Sequence, residues 1–228
     1  MAVERHIVGL GGGGRTREQN DLLYDYVLEL TGKERPRLMY VPTAIAEDPE
    51  GFATHHDRFG RRGELTHLRT FPWPQPANLR EAILEQDAIC VSGGSTANMI
   101  AIWKVHGIDR YLREAWESGV VLWGASAGMI CWFEAGVTDS FGPQLDGMEC
   151  LGFLPGSACP HYDGEEQRRP RYRELIDGGF PAGIAADDGV ALHYVGTDLQ
   201  EVVTCRPGAA AYRVTRAGEE RLDARELT

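Results

Sequence analysis

Apolar runs alternate with helix-spaced stretches through the first half of the chain. Residues 6–12 (HIVGLGG) read as a strand that ends in glycines. Residues 17–30 follow as a helix, with Leu22, Leu23, Tyr26, Val27 and Leu30 on one face. The same reasoning gives strands over 37–42 (RLMYVP) and 65–71, separated by a polar helix over 49–62. Residues 72–76 (PWPQP) connect, because proline cannot donate into a central ladder. A short helix is expected over 79–85, a buried strand over 88–92 (AICVS), helices over 97–105 and 110–118, and a second buried strand over 120–124 (VVLWG). Alternation of this kind predicts an α/β three-layer sandwich, a mainly parallel sheet with helices on both faces. Beyond about residue 136 the pattern loosens. Closely spaced strand-like pieces at 183–186, 190–194, 199–204 and 210–214 suggest a small antiparallel C-terminal extension. With no repeat, low-complexity stretch or linker in between, residues 1–228 form one domain.

Composition narrows the function classes. The 228 residues are 43% hydrophobic and 25% charged, which fits a globular domain with a sizeable core. No apolar run is long enough for a membrane span, and the polar, then glycine-rich, start lacks the features of a secretory leader. A net charge of −11 argues against a nucleic-acid partner. Lysine occurs only at Lys33 and Lys104, so positive charge is almost all arginine, a bias that the source genome explains. The five cysteines are odd in number, widely spaced and mostly in apolar surroundings, which points to free thiols in a reducing cytoplasm. No histidines sit at zinc-ligand spacing, and neither a metal nor another cofactor is expected.

Two glycine-rich segments follow strands. Gly11 to Gly14 precedes a helix, where backbone amides can cradle a phosphate. Yet the acidic partner of a dinucleotide fingerprint is missing at the end of the second strand, and no Walker lysine follows, so a structural turn beside a pocket is the better reading. The segment GASAG at 124–128 carries more chemistry. It matches G-x-S-x-G, with strand VVLW before it and helix-like MICWFE after it. A serine on so sharp a turn exposes its hydroxyl, and the following N–H, on Ala127, points at a developing oxyanion. The helix starting at Gly128 adds its dipole. If strands 88–92 and 120–124 are neighbours, Gly94 of SGGST offers the second donor. Of seven histidines, His161 in CPHYD stands out as the base; His55 and His56 sit on a charged helix and read as solvated. Asp187 and Asp188 end a strand beside glycine. One orients the imidazole and the other caps or turns the chain.

On these residues the chain resembles the peptidase E and cyanophycinase group of serine peptidases, which has the class I glutamine amidotransferase-like fold. The matching segments are VSGGSTANMIAIWKVHGID, VVLWGASAGMICW, PHYD with RYRELI, and IAADDGVALH, spread over nearly the whole chain. The resemblance implies a Ser–His–acid triad, with Ser126 on the nucleophile, His161 on the base and Gly94 and Ala127 on the oxyanion donors. The acid is glutamate in the best-known members. The matching position is Asp188, one methylene shorter, so Asp187 and Asp188 both remain candidates. Peptidase E cleaves dipeptides with N-terminal aspartate and holds the aspartyl carboxylate with an arginine after the histidine; Arg168 and Arg171 lie in that stretch, although the run 168–173 also reads as an exposed helix face. Ser95 stands where the family often has asparagine, and with Asp187 it completes the substrate-side candidates.

The expected function is a cytoplasmic serine peptidase that acts on short peptides through an acyl-enzyme, with dipeptides bearing N-terminal aspartate as the implied substrates. A cyanophycinase-like exopeptidase and a non-catalytic binding module of the same fold are the alternatives. A glutamine amidotransferase would need cysteine where Ser126 stands. The partner is a small peptide, not a nucleic acid or a membrane, and a homodimer is compatible with the sequence.

Overall fold

The computed structural model describes residues 3–228; Met1 and Ala2, the first residues of the stretch read as lacking a leader, lie outside them. Fourteen strands and seven α-helices follow in the order β1 (His6–Leu10), α1 (Arg17–Glu29), β2 (Arg37–Val41), α2 (Pro49–Phe59), β3 (Glu64–His67), α3 (Leu79–Leu84), β4 (Ala88–Val91), α4 (Thr96–His106), α5 (Ile108–Glu117), β5 (Val121–Ala125), α6 (Ala127–Ile130), β6 (Phe133–Thr138), β7 (Asp146–Glu149), β8 (Leu154–Cys159), α7 (Arg168–Asp177), β9 (Gly183–Ala186), β10 (Val190–Val195), β11 (Asp198–Thr204), β12 (Ala211–Thr215), β13 (Gly218–Leu222) and β14 (Arg225–Glu226).

Local chemistry starts the helices where the sequence places them. Thr16 caps α1 by accepting from Gln19 N, and Asp48 caps α2, whose first residue is Pro49. Asn78 caps α3 and Ser95 caps α4. Gly107, in the left-handed region, ends α4 and lets α5 begin at once.

An eight-stranded sheet runs β14-β11-β10-β1-β5-β4-β2-β3. Its centre, β1, β5, β4, β2 and β3, is parallel. Helices α1 and α2 cover one face, where Leu23, Val27 and Phe59 pack on Val8, Leu38 and Trp123. The other face holds the main core, with Met99, Trp103, Trp116 and Trp132 from α4, α5 and the segment after α6. Both faces of the central strands are therefore dry, which explains their continuous apolar runs. Among the described residues no helix is long and apolar enough to cross a membrane.

The later half differs from the reading of its pattern. A second, six-stranded sheet runs β13-β12-β9-β8-β6-β7. The four closely spaced strands divide between the sheets: β10 joins the main sheet antiparallel to β1 and β11 pairs antiparallel with β10, whereas β9 and β12 belong to the second. The helix expected through MICWFE also stops early. It ends at Ile130, and Phe133 already begins β6. The carbonyls of Cys131, Trp132, Phe133 and Glu134 accept from Leu151, Phe153, Gly152 and Cys150, in place of the i+4 amides of a helix. Tertiary pairing has overridden helical spacing here.

Candidate active site

The site lies where the two sheets meet at the ends of their strands. Strand β5 leads into Ser126, whose backbone is at φ 57°, ψ −114°. Such a conformation costs a non-glycine residue on the order of 1–3 kcal/mol and aims the side chain out of the turn. Gly124 and Gly128 let the carbonyl of Val91 on β4 pack against this turn, since a Cβ on either would strike it. The expected pairing of β4 with β5 is present, with Val91 opposite Gly124, and it brings SGGST beside the serine. Gly93 is the glycine that faces Ser126: a Cβ there would come 3.4 Å from Ser126 Cβ and 3.9 Å from its Oγ. Gly94, at φ 123°, packs on the carbonyl of Ala44 instead. Neither Gly94 N nor Ala127 N donates to an acceptor among the described residues, so both N–H groups are free for a ligand oxygen. Helix α6 starts at Ala127 rather than Gly128 and lasts one turn, so its dipole contributes little.

His161 and the two aspartates follow strands of the second sheet. Strands β8 and β9 are parallel neighbours, with Cys159 opposite Ala185, and their ends run into Pro160-His161 and Asp187-Asp188. His161 Nδ1 lies 2.6 Å from Asp188 Oδ1. Asp187 points elsewhere: its Oδ2 accepts from Ala210 N at 3.0 Å and Tyr212 OH at 3.4 Å, and burial pushes its carboxyl upward. The two acids left open by the sequence are thus separated by geometry, and Asp188 alone meets the histidine.

Serine and histidine are tied together by the first glycine loop. Ser126 N donates to Leu10 O at 3.2 Å and His161 N donates to Gly11 O at 2.8 Å. Two consecutive carbonyls, the last of β1 and the first of the glycine loop, therefore hold the turns from the two sheets. A Cβ on Gly12 would collide with the Asp188 carboxylate and come 2.8 Å from His161 Nδ1. The loop is no phosphate cradle, because Gly14 N and Arg15 N are taken by Asn20 Oδ1 and Gln19 Oε1 of α1.

Sequence reasoning missed the braces behind the pair. Asp163 Oδ1 accepts from Asp188 N at 2.8 Å, and Arg206 donates to Asp188 O at 2.7 Å and to Asp163 Oδ2 at 2.9 Å. Asp163 stands inside the PHYD motif, two residues after the histidine; Arg206 had no local signal. A Cβ on Gly164 would strike Asp188 Oδ2, as one on Gly12 would strike Oδ1.

Other expected site residues are engaged elsewhere. Arg168 is 3% exposed, which corrects its reading as part of a solvated face. Its guanidinium donates to Glu165 Oε2 at 2.7 Å and Val137 O at 3.1 Å. Arg171 donates to Leu145 O, Glu174 and Asp146. Ser95 Oγ accepts from Asn98 N as the cap of α4. His55 is buried rather than solvated; it stacks on Tyr40 with ring centroids 4.0 Å apart, and burial pushes it down to about 3, so it stays neutral. His193 is held between His6 and the Tyr26 hydroxyl. Among the described residues no group of three or more His, Cys, Asp or Glu could hold a metal ion. A free hydroxyl on a strained turn, an imidazole fixed by a carboxylate and unused N–H groups are the parts that acyl transfer requires.

Known proteins resemble this chain over most of its length. The model of peptidase family S51 matches residues 7–202. The chain is 45% identical over 219 residues to the "Uncharacterized peptidase YgaJ" of Bacillus subtilis (strain 168), covering 95% of this chain and 94% of that one. In fold it resembles the crystal structure of a peptidase from an acI-B1 Actinobacterium, with a TM-score of 0.73 at 19% identity over 98% of this chain and 96% of that one. It also resembles the crystal structure of a putative peptidase E protein from Listeria monocytogenes EGD-e, with a TM-score of 0.61 at 14% identity over 97% of this chain and 100% of that one. The match to the family model and the identity to a peptidase over nearly the full length make this chain a member of peptidase family S51.

Proposed function

We propose that this peptidase is of the serine type and hydrolyses short peptides, dipeptides with N-terminal aspartate among them, through an acyl-enzyme. The observation that carries the reading is the joint anchoring of Ser126 and His161 on the carbonyls of Leu10 and Gly11, with Asp188 on His161 Nδ1. With Nδ1–H donated to Asp188, Nε2 is the basic nitrogen. It takes the proton of Ser126 as Oγ bonds to the scissile carbonyl carbon. The oxyanion accepts from Gly94 N–H and Ala127 N–H. His161 then passes the proton to the leaving amine as the C–N bond breaks. Water repeats the sequence and releases the acid, so no external cofactor enters the balance. Five free cysteines support a reducing compartment, the cytoplasm, as its location.

The test is a panel of defined dipeptides and tripeptides, with and without N-terminal aspartate, and an aspartyl–arginine polymer. The expected result is release of single residues or dipeptides from the short members. No cleavage of any member contradicts the reading, and cleavage of the polymer alone replaces it by a cyanophycinase-like one.

A further inference from the structure

A cavity of about 400 Å³ opens between α1 and α2 and reaches the nucleophile turn, for Gly93 and Ala125, which flank Ser126 in space and in sequence, both line it. Its body is aromatic, formed by Tyr24, Tyr40, Phe59 and Trp123. Into this wall projects Arg58, from the last turn of α2. Its Nη1 donates to Tyr24 OH at 3.0 Å, and no carboxylate of the described residues lies within ion-pair distance of it. Nearby, Arg17 of α1 pairs with Asp57 at 3.0 Å, and Arg62, three residues beyond α2, pairs with Asp25 at 2.8 Å. In a chain of net charge −11, this half-buried guanidinium faces a cavity beside Ser126 with its charge unmatched by a carboxylate, and a guanidinium fork suits one. Two more features fit a short peptide. Ser92 adds a buried hydroxyl with no hydrogen-bond partner, and Asp48 and Glu50 line the same cavity, where they suit an ammonium group.

We propose that the α1–α2 cavity is a specificity pocket of this peptidase and that Arg58 binds a substrate carboxylate there. The inference rests on the serine-peptidase reading for the word substrate; the carboxylate site itself is judged by binding. Arg168 and Arg171 are spent on internal partners, so Arg58 supplies the cation that they do not. The carboxylate has two sources, an acidic side chain or the free C-terminus of a short peptide, and the same chemistry at Arg58 serves both.

Calorimetric titration separates them. In a Ser126→Ala background, Asp-Leu, Asn-Leu and their C-terminal amides are bound without turnover. A preference of about tenfold or more for Asp over Asn assigns the side chain; the same preference for free acid over amide assigns the C-terminus. In Arg58→Gln that preference falls to near unity, and Arg58→Lys restores part of it. The inference is overturned if no carboxylate improves binding, or if Arg58→Gln keeps the preference. Failure of the wild-type enzyme to cleave any peptide counts against the peptidase reading alone, because the binding comparison does not depend on turnover.

Discussion

Replacing Ser126 by alanine is expected to lower kcat on any cleaved peptide by about 10⁴ to 10⁶. The loss follows from the site's construction. Ser126 Oγ takes no hydrogen bond from the fold, so its only assigned role is chemical, and the turn is held by backbone bonds from Ser126 N to Leu10 O and from Met129 N to Ser126 O. Those bonds survive the change. Stability should therefore shift by less than about 1 kcal/mol, the range of substitutions that remove no packing or buried pairing. Steady-state kinetics and a thermal melt on the same preparation check both halves. A kcat within tenfold of wild type would remove Ser126 from the mechanism.

The second large effect is expected at Asp188. In Asp188→Asn the amide can present its N–H to His161 Nδ1, which favours the tautomer with the proton on Nε2 and disables the base. The chymotrypsin-type precedent for this change is a fall of about 10⁴ in kcat, and the same order is expected here. Asp187→Asn, one residue away, should cost less than about tenfold, because Asp187 faces Ala210 N and Tyr212 OH rather than the imidazole. The contrast between adjacent acids is the informative part. Equal losses at both would mean that the turn as a whole, not the carboxylate on His161, supports the reaction. The braces give a reason for the precision required: Asp163 and Arg206 hold the Asp188 backbone, and Gly12 and Gly164, lacking a Cβ, leave space for its carboxylate where it meets His161.

How much of this was legible in the sequence depended on range. The serine turn was readable because its signal is local: small residues on both sides of a serine, between a buried strand and a helix start. The parallel centre was readable because strands dry on both faces are continuous apolar runs. His161 and the acid pair stood at strand ends beside proline or glycine, which singled them out but could not choose between Asp187 and Asp188. That choice is made where the chain crosses from β9 in one sheet to β10 in the other, and neither sheet's partner strands are written locally. The same limit hid the second sheet. Residues 131–134 carry helical spacing, yet their carbonyls are claimed from residues 150–153. Arg168 looked like a solvated arginine because its acceptors, Glu165 and Val137 O, come from a turn and from β6. His55 looked solvated among charged neighbours, although α2 turns it onto Tyr40 of β2. Arg58 carries no motif, and within the two glycine segments nothing local singles out Gly12 or Gly93; the meaning of all three comes from what lies opposite each.

The account stands or falls on Ser126 being a reactive nucleophile. Incubation with a fluorophosphonate probe, followed by peptide mapping, reports this without knowledge of the substrate. One phosphonyl adduct is predicted, on the peptide that contains Ser126; it should be absent in Ser126→Ala and slowed in Asp188→Asn. No adduct, or an adduct on a different residue that persists in Ser126→Ala, would contradict it.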